Sequence, residues 1–182
     1  MPQLEFSPAL DRPDLLAPPV RTGLASLDAA LSAQVHVTPI DPTLADTAAF
    51  CEAYGVGMHE GANCIVVAGT RGDVTTYAAC LVLGTTRADV NGIVRKRLGA
   101  RRASFAPMDD AVALTGMEYG GITPIGLPPD WEILVDSRVA ALPTAIVGAG
   151  IRGAKLSLPG SVLAALPGAE VVEGLARDVP AA

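Results

Sequence analysis

The chain has 182 residues, of which 50% are hydrophobic and only 4% aromatic, and its formal net charge is -6. That length suits one domain with a core of Ala, Val, Leu and Ile, and the composition excludes a disordered chain. The acidic balance excludes indiscriminate nucleic-acid binding through bulk charge, so DNA is not an expected partner. No uninterrupted apolar run reaches the ~18 residues that would span a membrane.

Residues 1–20 hold five prolines and read as an extended arm. Acids and prolines stand where a secretory leader needs an apolar stretch, so a cytoplasmic location is expected. A single domain is expected over 21–170, with a tail over 171–182. Leu24, Leu27 and Leu31 recur at helical spacing and predict a helix over 22–33, followed by a strand over 34–40. Asp41-Pro42 is an N-cap and N1 pair for a second helix, with Leu44, Ala48 and Cys51 on one face and Gly55 at its end. Asn63–Ala68 and Thr75–Leu83 are β-rich and flank a glycine-containing loop, which predicts a hairpin. Ala88–Leu98 is amphipathic, with Val90, Ile93, Val94 and Leu98 inward and Gly99 after it. A short strand is expected over 102–105, then a helix from Pro107 to Gly116 with Asp109 and Asp110 in its first turn. Gly120–Pro129 is turn chemistry. Strands over 133–136, 144–147 and 154–158 and a closing helix over 159–166 complete the chain. Hairpin strands mixed with strands between helices predict an α/β (α+β) fold with a mixed sheet and peripheral helices.

Three cysteines (Cys51, Cys64, Cys80) and two histidines (His36, His59) form no metal-ligand spacing, so neither a metal nor a cofactor is expected. Gly148-Ala149-Gly150-Ile151-Arg152-Gly153 matches G-x-G-x-x-G after a β-branched run. A dinucleotide site needs a helix next, whereas Lys155-Leu156-Ser157-Leu158-Pro159 alternates like a strand, so the match is read as a decoy.

Six of the 13 basic residues lie between positions 87 and 102, with Asp89 the only acid among them. Arg95, Lys96 and Arg97 near a helix C-terminus complement its dipole without any ligand. Equally, together with Arg101 and Arg102 they form a local track for RNA phosphates. Trp131 follows Pro128-Pro129 and is expected to pack inward rather than to lid a pocket.

From Gly61 onward the order of pieces is ANCIVVAG, YAACLVLG, RADVNGIVRKRLGARR, PMDDAVALTG and GGITPIG. Asp89, Leu98, Gly99, Ala100 and Arg101, followed by Leu114, Thr115, Gly116, Gly120, Gly121, Pro124 and Gly126, carry the pattern. This ordered set, over roughly residues 35–166, resembles the YbaK/EbsC/ProX family of aminoacyl-tRNA deacylases and synthetase-associated editing domains. The resemblance implies a mixed, largely antiparallel, partly barrel-like sheet flanked by helices. The implied activity is hydrolysis of the ester between a wrong amino acid and tRNA, with the tRNA acceptor end as partner and an aminoacyl-tRNA synthetase as a further one. Gly120, Gly121 and Pro124 would then form a positioning and oxyanion loop, because glycines let a backbone approach a substrate closely. Asn63, Ile122, Thr123, Gly148 and Gly150 would line the substrate pocket, and Arg95, Lys96, Arg97, Arg101 and Arg102 would meet the tRNA. The family's lysine on the first hairpin strand is replaced here by Cys64. A neutral thiol cannot act as a point charge, which leaves open both an inactive binding module and a nucleophilic Cys64 with His59 as base.

Overall fold

The computed structural model describes residues 3–179. Ser7–Pro8 (β1) pairs antiparallel with His36–Pro39 (β2), and Ala9, Leu16, Ala17 and Val20 are buried. The proline-rich start, expected as a free arm, is therefore part of the core; its first two residues lie outside the described residues. Pro13 and Pro18 sit where a missing N–H costs nothing, at the starts of a short 3-10 turn (Pro13–Leu15) and of α1 (Pro18–Ser26). The helix expected over 22–33 is two helices, α1 and α2 (Ala29–Ser32). They part at Asp28, whose carboxylate caps α2 by accepting from Ala30 N at 2.8 Å. A second break of this kind puts Pro42–Leu44 in a 3-10 turn and starts α3 (Thr47–Tyr54) only after Asp46, which caps it.

The hairpin is longer than expected: β3 (Ala62–Arg71) and β4 (Val74–Leu83) pair through ten registered positions. They turn on Gly72-Asp73, with Gly72 at φ +62°, where a two-residue turn needs glycine. β4 is central and Ala78–Val82 are all wholly buried. Both of its faces are covered: Ala78, Cys80 and Val82 face one core cluster and Leu81 the other, as the two-residue period of a strand requires. After β5 (Thr86–Ala88), the amphipathic segment begins as one wide turn, Val90–Val94, in which Val94 N reaches back to Asp89 O, and continues as α4 (Arg95–Arg97). β6 (Arg102–Phe105) and α5 (Met108–Thr115) follow.

β7 (Glu132–Asp136) runs parallel to β4 and leads through α6 (Ser137–Ala140) into β8 (Ala145–Gly148), β9 (Ala154–Leu158) and α7 (Gly160–Ala164). Two more strands follow, β10 (Ala169–Val172), which runs across the expected domain end at 170, parallel to β7, and β11 (Ala176–Asp178), inside the stretch expected as a tail, antiparallel to β5; residues 180–182 lie outside the described residues. The architecture is thus mixed α/β, with a four-stranded antiparallel sheet (β1-β2-β9-β8), a five-stranded mixed sheet (β10-β7-β4-β3-β6) and a two-stranded ribbon. The two larger sheets meet where Gly61 bridges Ile146 and Ile146 N donates to Glu60 O at 2.8 Å. They curve around the main core without closing into a barrel. Among the described residues no helix is long and apolar enough to cross a membrane.

Candidate active site

Where β3 leaves that junction, a cleft of about 310 Å³ opens between the two sheets. Ala62–Val66 form one wall, Gly120, Ile122 and Gly148 another, and Asp46, Thr47 and Lys155 close the end nearest α3. The hairpin strand and the glycine turn, 55 residues apart in sequence, therefore share one hollow. Of the residues picked from the sequence, Asn63, Cys64, Gly120, Ile122 and Gly148 line it.

The other glycines hold the turn in place from behind. Gly121 N donates to Glu118 O at 2.9 Å, Gly150 N to Gly121 O at 2.7 Å, and Glu118 N to Gly150 O at 2.8 Å. Arg152 adds two further ties, its N–H to Glu118 Oε2 at 2.6 Å and its Nη1 to Tyr119 O at 3.1 Å. The approach is too close for side chains: a Cβ on Gly148 would lie 2.2 Å from Gly121 O, and one on Gly121 2.6 Å from Ile151 carbonyl. The G-x-G-x-x-G segment is thus a turn between the antiparallel strands β8 and β9, strapped to the second glycine turn. Thr123 is wholly buried and its hydroxyl has no partner, while Pro124 faces a separate groove beside Pro19 and Trp131. Trp131 is itself buried, stacked on Tyr77 with ring centroids 5.1 Å apart.

A family model described as an aminoacyl-tRNA editing domain matches residues 41–166, which include every residue lining this cleft. The chain belongs to the aminoacyl-tRNA editing domain family. Among solved structures, hypothetical protein APE2540 superposes with TM-score 0.71 at 23% identity, covering 81% of this chain and 95% of that one. A candidate trans-editing enzyme for prolyl-tRNA synthetase superposes with TM-score 0.70 at 22% identity, covering 87% and 97%. At such identities the likeness is one of fold. No curated protein matches the sequence.

Within this editing domain the cleft's polar groups are few. Thr47 Oγ1 donates to Asn63 Oδ1, which leaves the Asn63 amide hydrogens as what that side chain offers a ligand. Burial pushes the Cys64 thiol well above its ordinary range, and the neighbouring Cys80 adds to the shift, so thiolate is scarce at neutral pH. His59 is exposed and not among the lining residues. Among the described residues no three His, Cys, Asp or Glu side chains gather as metal ligands do.

Lys155 is the functional candidate that the sequence reading passed over. It is 6% exposed, its Nζ donates to Ala45 O at 2.7 Å, and the same nitrogen lies 5.5 Å from the centre of the Phe50 ring. Burial lowers its pKa, partly offset by Asp46 and Cys51. The alternation of Lys155 and Ser157 with Ala154, Leu156 and Leu158 resembles a strand with one face in water. That face instead meets the cleft at Lys155, while Ser157 is not among the lining residues.

The basic cluster divides. Arg95, Arg101 and Arg102 line a second groove of about 720 Å³ with Tyr77, Asn91, Ser104 and Asp110. This groove and the cleft lie on either side of one short stretch, Ser104 facing the first and Phe105 and Ala106 the second. Arg97 instead crosses to the far edge of the sheet and pairs with Glu170 of β10. Lys96 is exposed and lines neither hollow.

Proposed function

We propose that this chain is a free-standing deacylase that hydrolyses the ester of a mischarged aminoacyl-tRNA. The observation that carries the reading is the single cleft shared by β3 and the Gly120 turn, of a size for a small aminoacyl group. An aminoacyl ester is already activated, so positioning a water and holding the developing oxyanion are the main tasks. Gly120, whose backbone faces the cleft, is the turn's donor for that oxyanion, since Gly121 N–H is engaged by Glu118. Asn63 and Ile122 hold the aminoacyl group from opposite sides, and the rigid small walls limit which side chains enter. The acceptor strand follows the Arg95, Arg101 and Arg102 groove into the cleft. The likeness to a candidate trans-editing enzyme for prolyl-tRNA synthetase makes tRNA charged by that synthetase the first to try.

The test is incubation of the purified chain with tRNAs carrying Ala, Ser, Cys or Pro. Faster ester loss than in buffer for at least one is expected; none across the panel overturns the reading. A second reading, a binding module without chemistry, is favoured by Cys64 standing where the resemblance places a lysine. It prevails if the native protein binds charged tRNA without clearing it and Cys64→Lys creates clearance.

A further inference from the structure

Lys155 is a cation withdrawn from water without a counter-charge in contact. Among the described residues no carboxylate lies within ion-pair distance of it. One carbonyl, that of Ala45, and the face of Phe50 are its protein partners, and an ammonium carries three N–H donors. The charged and titratable groups around it are Asp46 and Cys51 from the α3 side and Arg152 from the turn before β9. Buried lysines are kept charged by partners or shift and neutralise. Lys155 lines the cleft, and the opposite wall, Ala62–Val66, offers the Asn63 amide and the Cys64 thiol but no charge.

We propose that Lys155 is the cation of the active site, its ammonium holding the carbonyl oxygen of the scissile ester. This rests on the deacylase reading above. Water adds to the carbonyl carbon, and the oxygen that takes up the electron pair becomes an oxyanion between Lys155 Nζ and Gly120 N–H. The bond to the ribose oxygen then breaks. One proton from the attacking water leaves with the ribose hydroxyl and another passes to solvent, giving a free amino acid carboxylate and uncharged tRNA. Lys155 stays an ammonium throughout. Asp46, at the same end of the cleft, lies where it can meet the α-ammonium of the aminoacyl group.

Lys155→Gln keeps an N–H donor for Ala45 O and removes the charge. Loss of an oxyanion donor lowers turnover by about 10²–10³-fold, and that loss in kcat/KM on the best-cleared tRNA is expected. Cys64→Lys added to Lys155→Gln, which returns an ammonium from the opposite strand, is expected to recover at least ~10-fold of it, a rescue that a purely structural lysine would not permit. Clearance by Lys155→Gln within about threefold of native overturns the assignment. Should that variant not fold, the native protein decides, because the chain has only two lysines, Lys96 and Lys155. With side-chain-labelled lysine, an amide-linked aminoacyl-adenosine of the cleared amino acid is expected to shift the Lys155 signal in NMR spectra and leave that of exposed Lys96 in place. Binding of that analogue with Lys155 silent removes the assignment and leaves the deacylase intact. Absence of clearance by the native chain removes the deacylase reading itself.

Discussion

Gly148 shows how much of the site depends on a missing side chain. Its Cβ would meet Gly121 O at 2.2 Å, backbone against backbone, where no rotamer change gives relief. Gly148→Ala is therefore expected to cost about 1–3 kcal/mol in urea unfolding and to abolish deacylation. Gly153→Ala is the control: its nearest neighbour would be Pro42 at 3.8 Å, and its effect is expected within about 0.5 kcal/mol. Composition made such glycines legible as turns, and the strand after Gly153 made the dinucleotide match legible as false. The contents of the pocket were less legible. Asn63 and Cys64 were located through the order of motifs. Lys155 was missed, because alternation assigns a side chain to a face and says nothing of what covers that face. Thr123 and Gly150, close in sequence to true lining residues, point away into the core.

Among the elements, β11 is held by one buried carboxylate. Asp136 is wholly buried at the end of β7, and it accepts from Arg138 N at 2.9 Å, Arg138 Nε at 3.0 Å and Ala176 N at 2.9 Å. Arg138 reaches on to Ala176 O at 2.6 Å and Asp178 at 2.8 Å, so the two side chains fasten α6 to the C-terminal strand. Burial pushes the Asp136 carboxyl up, but the hydrogen bonds from Arg138 and Ala176 outweigh it and hold it below its usual range. Because the folded value is depressed, the stabilisation is complete above about pH 4, the unfolded value, and is lost as pH falls through the folded one. Asp136→Asn is expected to cost about 3 kcal/mol at pH 7 and to flatten the fall of Tm below pH 4 that native protein shows in thermal melts. None of this was visible in the sequence, where residues 169–178 carry neither alternation nor helical spacing. β10 buries only one of its four residues, and its pairing is set by a parallel neighbour more than 30 residues away. The hairpin β3–β4, by contrast, is local and apolar and was legible apart from its length.

For the whole molecule, the matched family segment and the folding unit differ. Val20, Leu24, Val35 and Val37 precede residue 41 and are wholly buried, and Val172 and Leu175 follow residue 166 in the second core cluster. A fragment of residues 41–166 is expected to show no cooperative transition in calorimetry, whereas the full chain melts cooperatively. Charge is partitioned at the same scale. Arg101→Gln is expected to weaken tRNA binding and lower its salt-dependence slope by about 0.7–0.9, while Arg97→Gln, which only frees Glu170, leaves that slope unchanged in filter-binding titrations. The mutual strapping of the two glycine turns has one more outcome. On one side of the hollow the Gly148 main chain, packed against Gly121, admits no side chain, so any change in which amino acid is admitted must be written on Ile122 and on the facing strand, at Asn63 to Val66. Selectivity in this molecule is adjustable at these few side chains, and libraries aimed at a new preference belong there.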